Sequence, residues 1–212
     1  MAFNLVDSVK GIFSGNIVSK TSSLLGESEA SIQKALSVLL PSTLVGLLHR
    51  SSTPDGAATV MSLSSEANKG GFLGNVTNLL GGGSLLTRGM NMVKGLFGDK
   101  QENIVSLTSN YAGIKESSAA SLMSMAVPAA LGTVGQYAEE NHLDSKGVVS
   151  MLDNQKNSIL NSVPSGINLA GALGVGSLSE IGNKLSSYVS SAWQGSMKLA
   201  GEVAQTAKGG TK

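Results

Sequence analysis

The sequence repeats itself at a fixed distance. Shifted by 87 residues, Ile17-Val18-Ser19 falls on Ile104-Val105-Ser106 and Thr21-Ser22 on Thr108-Ser109. Gly26, Glu29, Ser31, Ser37, Pro41 and Leu44 then fall on Gly113, Glu116, Ser118, Ser124, Pro128 and Leu131. These are 11 identities across 32 ungapped positions, residues 17–48 onto 104–135. With small gaps Gly56 meets Gly147, and the Gly-Ser-Leu of 83–85 meets that of 176–178. Ser and Leu are abundant, so their matches carry little weight, whereas paired Gly and Pro mark positions with special backbone demands. A chain built this way must fold both halves into the same succession of elements.

That succession reads as helices. In the first half a helix is expected over 16–25, opened by Asn16 and closed by Gly26. An apolar helix follows from Ser28 through Pro41 to His49, kinked or restarted at the proline. A third, capped by Asp55, runs to about Asn68. A Gly-rich segment over 69–83, with a short apolar piece at Leu79-Leu80, leads to a helix from Ser84 to Phe97. The second half repeats the order over 102–112, 116–140, 144–162 and 178–206. Asp144 is the expected cap of the third, and Ser177 with Glu180 has the Ser-x-x-Glu spacing of a capping box. Alternating β-branched runs bounded by turns do not occur. The fold expected is all-α: a multihelical bundle with an internal pseudo-duplication and Gly-rich inter-helix loops. Its parts are 1–100 as the first repeat, 101–182 as the second packed with it in one globular unit, and 183–212 as an amphipathic helix and flexible tail.

Composition narrows the function. Charged residues are 14% of the chain, against about 25% in an ordinary domain. Fifteen basic and 14 acidic residues are scattered, only Arg50 and Arg88 are arginines, and aromatics are 4%. A nucleic-acid groove needs clustered cations and stacking rings, so nucleic acid is not expected as a partner. Cysteine is absent, which removes thiol nucleophiles, thiolate metal sites and disulfides.

The N-terminus, with Asp7 and Lys10 in an amphipathic pattern, lacks the apolar core of a signal peptide. The longest uncharged stretches, 117–138 and 157–179, are interrupted by Ser, Pro128, Asn and Gly. They are expected to fall short of a bilayer span, the first as a buried core helix and the second as a glycine-broken loop.

No catalytic constellation emerges. No Lys follows a Gly, as a Walker loop requires, and neither a Gly-x-Ser-x-Gly elbow nor a dinucleotide fingerprint after a strand is present. Gly81-Gly82-Gly83 and the 171–176 segment read as inter-helix loops. His49 reads as a helix-end residue facing the last carbonyls, and His142, beside Glu139 and Glu140, as a solvated turn rather than a ligand. Glu27 and Glu29 sit where acids favour a helix N-terminus. The methionines at 90, 92, 123 and 125 read as core filler. No cofactor and no metal is expected.

The last helix carries Ile181, Leu185, Tyr188, Val189, Ala192, Val203 and Ala207 at spacings of three and four, with Trp193 and Met197 beside the stripe. Leu185, Tyr188, Val189, Trp193 and Met197 are the candidate interaction surface, and packing back onto the bundle is the competing reading.

Several phrases together carry a family likeness. Met1-Ala2-Phe3-Asn4-Leu5, the Leu-Leu-Gly-Glu-Ser of 24–28, the helix from Ala35 to Pro41 and the Gly-rich connectors resemble the YidB-like bacterial family, labelled as a domain of unknown function. Leu96-Phe97-Gly98-Asp99-Lys100 and Pro164-Ser165-Gly166 suit versions in which this domain precedes a membrane-spanning helix and an OmpA-like peptidoglycan-binding domain. The likeness extends over about 1–180, and no OmpA-like part follows. It implies a bacterial protein of the cytoplasm or cell envelope, with no catalytic residues to carry over.

The leading expectation is a non-catalytic scaffold that self-associates, with an envelope protein as a possible partner. The alternatives are a membrane-active, toxin-like bundle that releases 117–138 and 157–179, leaving membrane contact open, and an enzyme with an unrecognised site.

Overall fold

The computed structural model describes the backbone of residues 3–74 and 83–208, and side chains among these up to Ala192 and at Gln194. Its helices are α1 (Leu5–Ile12), α2 (Gly15–Leu25), α3 (Glu29–Arg50), α4 (Pro54–Lys69), α5 (Ser84–Phe97), α6 (Gln101–Ala112), α7 (Glu116–Glu140), α8 (Ser145–Asn161), α9 (Leu169–Leu173) and α10 (Leu178–Lys208). A 3-10 turn, Gly98–Lys100, joins α5 to α6. No strand occurs among the described residues, and the fold is an all-α multihelical bundle. The expected apolar piece at Leu79-Leu80 lies outside the described residues.

Local chemistry sets the boundaries. Asn4 caps α1 by accepting from the amides of Val6 and Asp7. Thr53, rather than Asp55, caps α4: its hydroxyl accepts from the Gly56 amide at 3.2 Å while Pro54 occupies the first turn, where a missing N–H costs nothing. Asp144 caps α8 through the Gly147 amide at 2.8 Å, as its spacing predicts. Helix α2 ends at Gly26 with φ +66° and α6 at Gly113 with φ +69°, a conformation glycine takes without strain. The same clamp closes both ends: Ser22 Oγ donates to the Glu27 carbonyl and Ser109 Oγ to the Ile114 carbonyl, each at 2.6 Å.

Helices α3 and α7 form the centre. Every residue from Val38 to Leu48 and from Leu122 to Gly135 is buried, so these stretches have no solvent face, whereas Gln33, Lys34 and Ser37 of α3 and Gln136 and Glu140 of α7 are exposed. Their few hydroxyls are satisfied within the helix: Ser42 donates to the Val38 carbonyl, Thr43 to that of Leu39 and Thr133 to that of Ala129, at 2.7–2.9 Å. Both helices run unbroken through their prolines, Pro41 and Pro128, so of the kink or restart expected at Pro41 the restart does not occur.

The 117–138 stretch is a buried core helix as expected, but by length and composition alone it does not fall short of a bilayer span. Glu29–Arg50 and Glu116–Glu140 are both long and apolar enough to cross a membrane, although 78% and 89% of their most apolar windows are buried in the protein. The 157–179 stretch is divided as expected, between the end of α8, the short α9 and irregular turns.

The halves interlock. Helix α4 packs against α7, and α8 against α3, so each half supplies the cover for the other's central helix. At the α4–α7 crossing a Cβ on Gly135 would stand 2.1 Å from the Ser64 carbonyl oxygen, so only glycine permits this backbone approach. Phe3 stacks on Tyr137 with ring centroids 4.0 Å apart, and its carbonyl accepts from Gln155 at 2.8 Å, which ties the N-terminus to α7 and α8. Helix α10 packs on α8 and α3.

Candidate functional site

The first turn of α10 fixes one wall of a cleft. Ser177 Oγ accepts from the Glu180 amide at 3.2 Å. The Glu180 carboxylate reaches back to the Gly176 amide at 3.1 Å and meets Lys184 Nζ at 2.6 Å. The lysine contact, followed by that amide, holds the Glu180 carboxyl below its ordinary range. Ile181 and Leu185, one turn apart, are fully buried. Tyr188 and Val189 are partly buried against the same core. Of the candidate surface, then, Leu185 is covered by the chain's own α3 and α8 side, and Tyr188 and Val189 are partly so; the side chains of Trp193 and Met197 lie outside those described.

Opposite stand the end of α3 and the turn after α5. The cleft between them has a volume of about 950 Å³. Its apolar part comes from Leu96, Phe97, Leu173 and Tyr188, and its charged groups are Arg50, Lys100, Lys184 and Glu180. Gly46 lies so close to Phe97 that a Cβ there would stand 2.6 Å from the ring. Lys100 folds over Gly174, where a Cβ would approach its Nζ to 3.4 Å.

His49 lines this cleft half-buried, with Nδ1 enclosed and without a hydrogen-bond partner. Burial, then Lys184 and Arg50, push its imidazole below the ordinary value of 6.5, and Glu180 opposes them. The expected contact with the last carbonyls of α3 is not what its ring nitrogen makes. His142 is exposed, with φ +52°, in the turn after α7. No group of three or more metal-ligating side chains converges among the described residues. Met92, Met123 and Met125 are in the core as expected, whereas Met90 is 58% exposed.

Glu27 reaches further than the macrodipole reading implies. Its Oε1 accepts from the Lys115 amide at 3.1 Å and from Ser118 Oγ at 2.8 Å. It thereby caps α7, whose own N-cap residue, Lys115, supplies no side-chain bond. These hydrogen bonds hold its carboxyl below the ordinary value of 4.5.

Sequence reasoning missed the cleft. Its charged walls come from residues 50, 100, 180 and 184, which no local spacing brings together.

Residues 7–137 match the family model described as a bacterial protein of unknown function, DUF937. The match covers more than half of the chain. The chain belongs to this YidB-like family. No curated protein and no solved structure matches it. The DUF937 match takes in both central helices as far as Tyr137 but not α8, α9 or α10. Of the cleft, the wall from Gly46 to Lys100 therefore belongs to the DUF937 part and the α9–α10 wall lies beyond it. No OmpA-like part is matched in this DUF937 chain.

Proposed function

We propose that the protein is a non-catalytic interaction module that assembles with further copies of itself through the distal part of α10. The observation that carries this reading is the division of that helix. Its apolar spacing is consumed by the protein's own core at Ile181 and Leu185 and half consumed at Tyr188, Val189 and Ala192. In the sequence the series continues through Trp193, Met197, Val203 and Ala207. Where such a stripe is not covered by its own body another helix stabilises it, and a second copy supplies an identical one. The sparse charge of the chain lowers the repulsion between copies.

Removing residues 183–212 is a poor test, because Leu185 belongs to the core. Ending the chain after Ser191 spares it. Light scattering coupled to size exclusion should give a defined oligomer for the full chain and a folded monomer for the shortened one. A monomeric full chain at every concentration, or a mass per assembly unchanged by the cut, would sink the proposal.

A second reading, membrane activity, draws on the length and apolarity of α3 and α7. It requires the two core helices to leave the bundle together. Vesicles of anionic lipid that keep an entrapped dye at acidic and neutral pH would remove it. The link to the cell envelope rests on the resemblance to OmpA-joined relatives, and cell fractionation tests it.

The duplication itself is also our reading. It is supported by the shared Ser–carbonyl clamps and left-handed glycines after α2 and α6, and by caps three residues before Gly56 and Gly147.

A further inference from the structure

We infer that the cleft between the end of α3, the Phe97–Lys100 turn and the first turns of α10 is a binding site for a small amphiphilic acid, an apolar chain carrying a carboxylate or phosphate head. This goes beyond the assembly reading and does not depend on it.

Size and lining agree. A volume of about 950 Å³ lies at the upper end of the range that holds small ligands, roughly 300–1,000 Å³. Leu96, Phe97, Leu173 and Tyr188 give the apolar contact, and Gly46 leaves the Phe97 ring room to lie against α3. Against this surface stand three cations, Arg50, Lys100 and Lys184, and one carboxylate, Glu180. Only Lys184 has its charge answered, by Glu180 at 2.6 Å. Among the described residues the side chains of Arg50 and Lys100 make neither an ion pair nor a hydrogen bond. The cleft thus carries an excess of two positive charges, three against one, with His49 neutral.

The enclosed Nδ1 of His49 adds a donor or acceptor that nothing in the fold uses. In the free protein Lys184 and Arg50 oppose its protonation. An anion seated between these groups reverses that field, so binding and protonation of His49 favour one another. The last-turn placement of Arg50 also suits the α3 dipole, but that accounts neither for Lys100, which approaches from another element, nor for the apolar wall.

The test uses the full chain and dodecanoate, dodecyl phosphate, dodecanol and inorganic phosphate as probes, read by displacement of an anionic naphthalene dye and by proton NMR of the two histidines. Dodecanoate and dodecyl phosphate should both displace the dye and raise the titration midpoint of His49. Their relative affinity separates a carboxylate from a phosphate ligand. Arg50→Ser with Lys100→Ser, both exposed positions that spare the fold, should weaken binding roughly tenfold or more. Ser187→Trp, which fills the cleft from an exposed position, should abolish it. Equal competition by dodecanol, an equal effect of inorganic phosphate alone, or full affinity in the double variant would overturn the assignment.

Discussion

Glu27 shows how one side chain can serve a helix it does not belong to. It stands in the turn between α2 and α3, yet its carboxylate takes the Lys115 amide and Ser118 hydroxyl at the start of α7. Because these bonds favour the charged form, the folded-state pKa is depressed below the unfolded one. The stabilisation is therefore present above the unfolded pKa and is lost as pH falls through the folded one. Glu27→Gln should lower the urea midpoint at neutral pH, and the two proteins should converge as the pH falls through the depressed folded-state pKa and the wild-type carboxyl also becomes protonated. A deficit independent of pH would mean that packing, not charge, is what Glu27 contributes. His49 and Gly135 are further residues whose roles come from distant neighbours: one faces α10 across the cleft, the other lets α7 meet the backbone of Ser64.

At the scale of elements the packing crosses between halves. Helix α1 touches α3, α7 and α8, while α5 touches α7, α3 and α4, so both lie against the two central helices. Helices α4 and α8 likewise cover the central helix of the opposite half. Residues 38–48 of α3 and 122–135 of α7 are buried on every side, so separating the halves exposes an apolar surface on each. A chain of residues 1–100 made alone should therefore lack a cooperative thermal transition, and so should 101–212. Mixing the two should restore helical circular dichroism and one transition. A fragment that melts cooperatively by itself would show that the exchange of α4 and α8 is dispensable.

For the whole molecule, sequence and tertiary structure decided different things. The sequence by itself determined the helices and most of their ends, because caps, left-handed glycines and first-turn prolines act within a few residues. Gly26, Gly113, Pro54 and Asp144 all act at that range. It also marked 117–138 as a core helix through its lack of charge, and its low-complexity phrases carried the family likeness. Thr53 took the α4 cap from Asp55 because both are competent caps and only the position of the first turn chooses between them. The tertiary structure alone decided which helices cover each other, that Leu185 is spent on the core, and that Arg50, Lys100 and His49 meet around one cleft. Those outcomes depend on contacts between residues tens of positions apart. Periodicity records which face of a helix is apolar but not which surface will cover it.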